Sequence, residues 1–225
     1  MAVIHRTTLT PSKLELLTAW LPSRPWYLGG AGEPRLAKAG GFRLDDPEGE
    51  VGIEFIVVTD TAPAQPVTYL APLTYRAAPL DGAEHALVGT MEHGVLGRRW
   101  AYDGVHDPVF VAQLLALIEG RVQAQDQSAT DTLDREVTRD FTGRAEAFLG
   151  WDRPTVVDGQ DGTELRNASG VGLDVRRVPR AAAEDDATSV RPDAIGHVAG
   201  SWLGADGADG ADGTRLRGVF FVLHG

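Results

Sequence analysis

The chain has no cysteine among its 225 residues. Disulfide bonds, thiolate nucleophiles and cysteine-ligated zinc are therefore excluded. Lysine is also scarce, because 19 of the 21 basic residues are arginine and only Lys13 and Lys38 are lysine. No lysine occurs between Ala39 and Gly225, so any step that needs a lysine ammonium group has to draw it from the N-terminal end of the sequence.

Long apolar runs and an excess of positive charge are also missing. No run of 18 apolar residues occurs, and the opening MAVIHRTTLTPSK lacks the apolar core of a signal peptide. We therefore expect a cytoplasmic protein. The formal charge of −11 and the pI near 4.9 repel phosphate backbones and anionic lipids, which argues against nucleic acid and membranes as partners.

Sequence motifs of known catalytic and cofactor sites are absent as well. There is no Walker A loop, no GxGxxG fingerprint between a strand and a helix, and no GxSxG elbow. The acidic run GADGADGADG carries Asp206, Asp209 and Asp212 at a spacing that fits neither an EF-hand nor a nonapeptide calcium repeat. We predict a hairpin loop there, no metal and no cofactor.

The residues that are present predict an α+β protein. Thr10-Pro11 places a capping hydroxyl before a proline at the first position of a first helix, and Ser12-x-x-Glu15 offers an alternative capping box. Pro22 should end this helix. Asp107-Pro108 opens a second helix, whose apolar residues recur at helical spacing up to Val122. Between the helices lie about five strand-like segments, joined by links too short for parallel crossovers. They predict an antiparallel sheet packed on helices.

The remainder of the chain predicts a second, smaller antiparallel sheet. Residues 126–138 are polar and lack a consistent apolar period, so we interpret them as a linker. Residues 139–225 contain about four strand-like segments separated by turn signals. The predicted organisation is thus a first domain at 1–125 and a smaller β-rich domain at 139–225.

Several aromatic and basic residues are candidates for contact with a ligand or partner. Trp26 and Tyr27 lie in a Pro- and Gly-rich loop and are the aromatic pair that we expect to be exposed. Strand alternation places Arg98 and Trp100 on one face of their strand. The complete set of candidate contacts is Trp26, Tyr27, Arg98, Trp100, Arg176 and Arg177.

An alternative catalytic set consists of His93, Asp103 and His106, which could serve as an acid–base cluster. A structural explanation competes with it, because Asp-Gly pairs are common in turns and Asp-Pro pairs at helix starts. Asp103-Gly104 and Asp107-Pro108 fit those two roles, and we favour this interpretation.

Three ordered motifs resemble a known family. LELLTAWLPSRPWYLGG, YLAPLTYR and DGVHDPVFVAQLLALI are similar to segments of the N-terminal cap domain of actinobacterial maltokinases and related aminoglycoside-phosphotransferase-like sugar kinases. The resemblance covers about residues 12–120. It implies a cystatin-like fold, in which a curved antiparallel sheet wraps on a helix.

A weaker resemblance follows in the C-terminal part. GTELRNASGVGLDVRRVP and GVFFVLHG resemble strands of the kinase N-lobe, where a hairpin carries an ATP-contacting lysine shortly before an arginine pair. Here Arg176 and Arg177 remain, but Leu173, Asp174 and Val175 precede them. A catalytic loop and a helical C-lobe are not found in the sequence either.

The resemblance therefore implies a pseudoenzyme: a non-catalytic binding or regulatory module in glycogen or trehalose metabolism. Its partner would be an unknown protein or a small sugar-like ligand. Two other functions stay open. One is an enzyme of unrecognised type that uses a His/Asp cleft, and the other is a cystatin-like inhibitor or decoy that uses the WYLGGAG loop.

Overall fold

A computed structural model describes residues 8–129, 132–181, 190–207 and 213–225. These residues contain thirteen strands and two α-helices. Every strand pair is antiparallel and the sheet is open, so the prediction of antiparallel sheet is confirmed. None of the described helices is long and apolar enough to cross a membrane.

The two helices are α1, Lys13–Trp20, and α2, Pro108–Glu119. The strands in chain order are Leu9–Thr10 (β1), Leu36–Leu44 (β2), Gly52–Asp60 (β3), Val67–Arg76 (β4), Leu87–His93 (β5), Gly97–Asp103 (β6), Gln125–Asp126 (β7), Thr138–Phe141 (β8), Thr155–Gly159 (β9), Gly162–Arg166 (β10), Gly172–Val175 (β11), Ala194–Leu203 (β12) and Arg215–His224 (β13).

All thirteen strands belong to one sheet. Its order is β1-β5-β6-β4-β3-β2-β12-β13-β11-β10-β9, with β7 paired to β2 and β8 paired to β12. The sequence predicts two sheets, whereas the structure joins the strands of both predicted parts where Trp202 of β12 pairs with Gly40 of β2. A Cβ atom on Gly40 would lie 3.3 Å from the carbonyl oxygen of Ser201, so glycine lets the two backbones approach. The domain boundary at 126–138 stays a prediction.

Helix α1 begins at the alternative capping box of Ser12, and the start predicted at Thr10-Pro11 is wrong. The Ser12 hydroxyl accepts from the Glu15 backbone N–H, and the Glu15 carboxylate accepts from the Ser12 N–H. One face of the helix buries Leu17 and Trp20 against one face of the sheet. The sheet residues in this cluster are Ile56, Val58, Tyr69, Ala71 and Leu73.

Helix α2 packs on the opposite face of the sheet. The Asp107 side chain caps it by accepting from the N–H of Val109 at 3.0 Å, and Gly120 ends it with φ +90°. Because side chains alternate along a strand, Phe55 of β3 faces α2 while Ile56 faces α1. The ring of Phe55 lies 5.1 Å from that of Phe110 in α2.

The core around α2 contains residues from both predicted parts of the chain. Phe55 of β3 meets Phe221 of β13 edge-to-face at 5.5 Å, and Phe42 of β2 stacks on Phe220 at 6.5 Å. Each such buried ring contributes about 1.5–3 kcal/mol relative to its exposed state. The halves therefore share one apolar interior.

Candidate functional site

The side chain of Arg177 joins residues from distant parts of the chain. It is 0% exposed, and its Nη2 donates to Oδ2 of Asp103 at 2.6 Å while its Nε donates to Oγ1 of Thr163 at 2.7 Å. The guanidinium carbon also lies 5.0 Å from the centre of the Trp26 ring. Charge, hydrogen bonds and a cation–π contact thus hold one arginine in place.

This junction contains three of the residues that the sequence singles out, namely Trp26, Asp103 and Arg177. Asp103 ends strand β6 and is 2% exposed. Its carboxylate and the guanidinium of Arg177 form an ion pair that bulk solvent does not reach. An arginine held in this way cannot at the same time grip a phosphate group in an open cleft.

The expectation that Trp26 and Tyr27 are exposed is wrong for Trp26, which is 0% exposed. Its ring packs edge-to-face on Trp20 at 5.6 Å, because the loop folds back under α1. The Tyr27 ring stacks on Tyr69, and its hydroxyl donates to Asp60 at 3.1 Å. Burial, followed by the Asp60 carboxylate, raises the pKa of Tyr27 to about 12.

The other predicted contact residues have different partners. Arg98 is exposed and pairs with Glu92 on the neighbouring strand. Trp100 is half-buried and packs beside Tyr102. The backbone N–H of Arg176 donates to the carbonyl of Phe220 at 2.8 Å.

The alternative catalytic residues are only partly brought together. His93 lies at the opposite end of the β5–β6 hairpin from Asp103, about 20 Å along the strand, and its Nδ1 accepts the backbone N–H of Leu96. His106 instead meets His85, with Nδ1 and Nε2 3.2 Å apart. Burial lowers the pKa of His106, although the Asp103 carboxylate opposes that change.

A groove of about 530 Å³ lies where β2 meets β12. Its walls come from the 38–41 stretch of β2, from residues of the 126–136 segment and from the end of β12. The lining residues are Lys38, Ala39, Gly40, Gly41, Asp126, Gln127, Ser128, Leu133, Asp134, Arg135, Glu136, Ser201, Trp202, Leu203 and Arg215. The volume falls within the range of small-molecule pockets, and junctions between chain segments of this kind are common places for them.

Charges of both signs face this groove. Burial lowers the pKa of the Lys38 ammonium group and raises the pKa of the Asp134 carboxyl group. Arg215 forms an ion pair with Glu136 at the rim. The groove therefore offers donors and acceptors side by side, an arrangement that suits hydroxyl groups better than a polyanion.

The acidic run is described only in part. Both carboxylate oxygens of Asp206 accept hydrogen bonds from Thr214, at 3.2 and 3.1 Å from its backbone N–H and 2.8 Å from its hydroxyl. These bonds link the end of β12 to the start of β13, which agrees with a hairpin loop. Asp209 and Asp212 lie outside the described residues.

Residues 20–107 match the family model of the maltokinase N-terminal cap domain. The recognition of a maltokinase-type cap in this stretch, which we call the cap segment, is thereby confirmed. The cap segment includes Trp26 and Asp103, whereas Thr163 and Arg177 lie outside it. No curated protein matches the chain.

Two features of the site have no clear sequence signal. The Arg177–Asp103 pair joins residues 74 positions apart, and no local pattern predicts such a contact. The groove depends on the pairing of β2 with β12, which the sequence places in separate sheets. The two consecutive glycines in β2, Gly40 and Gly41, are the one local signal that another backbone approaches this strand closely.

Proposed function

We propose that the chain is a non-catalytic binding module related to the N-terminal region of maltokinase-type sugar kinases. Its ligand would be a small hydroxylated, sugar-like molecule held in the groove between β2 and β12. The observation that carries the non-catalytic part is the burial of Arg177, which is committed to Asp103 inside the protein.

Phosphoryl transfer depends mainly on positioning and on neutralising phosphate charge, commonly with a lysine. The chain has no lysine after Lys38. Of the arginine pair in the kinase-like hairpin, Arg177 is withdrawn by its ion pair. We infer that this hairpin does not bind a nucleoside triphosphate.

The groove supports the binding part of the proposal. It combines Lys38 and Asp134, whose pKa values are displaced in a concave site, with the amide of Gln127. Displaced pKa values in a cleft are a mark of functional sites. The Gln127 amide is fixed by donating to Oε1 of Glu54 at 2.9 Å, so one wall is pre-organised.

Absence of catalysis is tested by incubating the purified chain with ATP, Mg²⁺ and either maltose or glucosamine. We expect ADP formation no faster than in the buffer control. ADP formation that is lost in an Arg176→Ala variant would contradict the proposal, because it would show a phosphate contact at the hairpin.

Ligand binding is tested by thermal shift and calorimetry with maltose, trehalose, glucosamine and ATP. A bound sugar raises the melting temperature by mass action. We expect that effect to be lost in Asp134→Ala and retained in Arg98→Ala, which removes a charge far from the groove. The proposal is contradicted if none of the sugars raises the melting temperature, or if Asp134→Ala keeps the increase.

The alternative of an enzyme rests on the contact between His85 and His106 beside Asp103. A folded His106→Ala protein that loses a measurable hydrolase or isomerase activity of the wild type would favour it. We propose the structural role instead, since the Asp103 carboxylate is already paired with Arg177.

A further inference from the structure

Three side chains that bind metal ions in other proteins converge on neighbouring strands. Glu164 of β10, Asp174 of β11 and His224 of β13 each contribute one ligand atom, and these atoms lie within 4.8 Å of one another. The register explains the meeting, since Glu164 pairs directly with Asp174 and His224 pairs with Gly172. Glu164 and Asp174 lie on strands that do not line the groove, and His224 lies at the opposite end of β13 from the groove residue Arg215.

The fold makes room for the imidazole ring. A Cβ atom on Gly172 would lie 2.2 Å from Cε1 of His224, so a side chain at this position would displace the ring. His224 is 2% exposed, while Asp174 and Glu164 are 22% and 37% exposed. The imidazole ring of His224 is thus buried against Gly172, whereas the carboxylates of Asp174 and Glu164 are partly exposed.

A positive charge already occupies the meeting point. Nη1 of Arg191 lies 2.8 Å from Nε2 of His224 and 3.2 Å from Oδ2 of Asp174. Because an arginine N–H can only donate, Nε2 of His224 has to accept, and its lone pair points at the guanidinium. Oδ1 of Asp174 lies 3.3 Å from the same Nε2, so acceptor lone pairs converge on one cation.

Arg191 also pairs with Asp193, and this second ion pair can persist when the guanidinium moves away from His224 and Asp174. Its Nε and Nη2 donate to the two carboxylate oxygens of Asp193 at 2.7 and 3.0 Å. Both side chains are partly exposed, and exposed ion pairs differ little in energy between geometries. A small rotation of the guanidinium would therefore uncover Nε2 of His224 and Oδ2 of Asp174. The third ligand group, the carboxylate of Glu164, is paired through Oε1 with the exposed Arg166 and not with Arg191.

We propose that Glu164, Asp174 and His224 form a binding site for a divalent first-row transition metal ion such as Zn²⁺, in competition with Arg191. One imidazole nitrogen and two carboxylates suit zinc, whose ligand distances are about 2.0–2.2 Å. The imidazole disfavours Ca²⁺ and Mg²⁺, which take oxygen ligands. The inference does not depend on the groove or on its ligand.

The competition can be measured in the Arg191→Gln variant. We expect this variant to bind one Zn²⁺ about tenfold or more tightly than the wild type, since a repelling positive charge next to the ion is removed. Affinity is measured by competition with a chromogenic chelator, and Co²⁺ absorption reports the coordination geometry. Arg98→Gln, which removes an arginine from another ion pair, should leave the affinity unchanged.

Ligand variants on the Arg191→Gln background identify the site. Glu164→Gln combined with Asp174→Asn should abolish the increase in Zn²⁺ affinity, and His224→Gln should do the same if that variant folds. His85→Ala should not, which separates this site from the His85–His106 contact. The proposal is overturned if Arg191→Gln binds Zn²⁺ no more tightly than the wild type, or if the double carboxylate variant keeps the ion.

Discussion

Nη2 of Arg177 donates to Oδ2 of Asp103 at 2.6 Å, across 74 positions of sequence. Both side chains are buried, and Nη1 of Arg177 and Oδ1 of Asp103 have no hydrogen-bond partner among the described residues. The pair ties the cap segment, which contains Asp103, to the strands that follow. Buried ion pairs of this kind are costly to break on one side only, because the remaining charge is left without a partner.

Arg177→Met should destabilise the protein by about 3–5 kcal/mol, since the Asp103 carboxylate would stay buried without its partner. The free energy of unfolding from urea titration measures this. Arg98→Met is the matched control, because its exposed ion pair with Glu92 should contribute less than about 1 kcal/mol.

The double variant Arg177→Met with Asp103→Leu should recover most of the loss, because replacing both charges by apolar groups removes the unpaired carboxylate. If the double variant is as unstable as Arg177→Met alone, then lost packing against Trp26 explains the effect and the charge does not.

Gly41→Ala should destabilise the protein by about 1–3 kcal/mol or more through overpacking. The backbone at Gly41 has φ +134°, and a Cβ atom there would lie 2.1 Å from the carbonyl oxygen of Phe55. Gly30→Ala is the control, since nothing lies within 4 Å of its added Cβ atom. Equal melting temperatures for the two variants would contradict the close approach of β2 and β3.

Stability should fall as the pH rises from 10 to 12. Burial raises the pKa of Tyr27 from 10.0 to about 12, and it also raises the pKa values of Tyr69 and Tyr75. Above pH 10 the unfolded chain releases phenolic protons that the folded chain keeps, so the free energy of unfolding decreases with pH.

Urea titrations across that range measure the decrease, and phenolate absorbance reports the titration itself. Tyr27→Phe should show a shallower decrease than the wild type. A folded protein in which all four tyrosines titrate together near pH 10 would contradict the burial of these rings.

His106 should contribute to acid sensitivity. Burial lowers its pKa below 6.5, so the folded state favours the neutral ring. The resulting stability is present above pH 6.5 and is lost as the pH falls through the lower pKa of the folded state. The difference in unfolding free energy between wild type and His106→Gln should therefore change below pH 6.5 and be constant above it. Histidine NMR titration provides the direct reading.

Local features could be predicted from the sequence because neighbouring residues determine them. The capping box of Ser12 and Glu15 and the Asp107 cap involve contacts over two or three residues, and both helices begin where these signals place them. The hairpins likewise follow from alternation and turn residues. Polar loop composition, however, misled the prediction for Trp26, because tertiary packing under α1 buries that ring.

Long-range relationships could not be predicted in this way. The contact of Trp202 with Gly40 turns two predicted sheets into one, and it depends on backbones more than 150 residues apart. The cluster of Glu164, Asp174 and His224 spans three strands, so no spacing of ligands appears in the sequence. The Trp202–Gly40 contact and this cluster both depend on the order of the strands in the sheet, and no local sequence pattern specifies that order.

The shared interior constrains how the protein can be dissected. Phe42, Phe55 and Phe110 come from the N-terminal part, and they pack against Phe220 and Phe221 at the opposite end of the chain. A fragment cut within 126–138 would leave these rings facing water and would be prone to precipitate. Recombinant work on the cap segment should accordingly retain the last two strands, or co-express them as a complementing peptide.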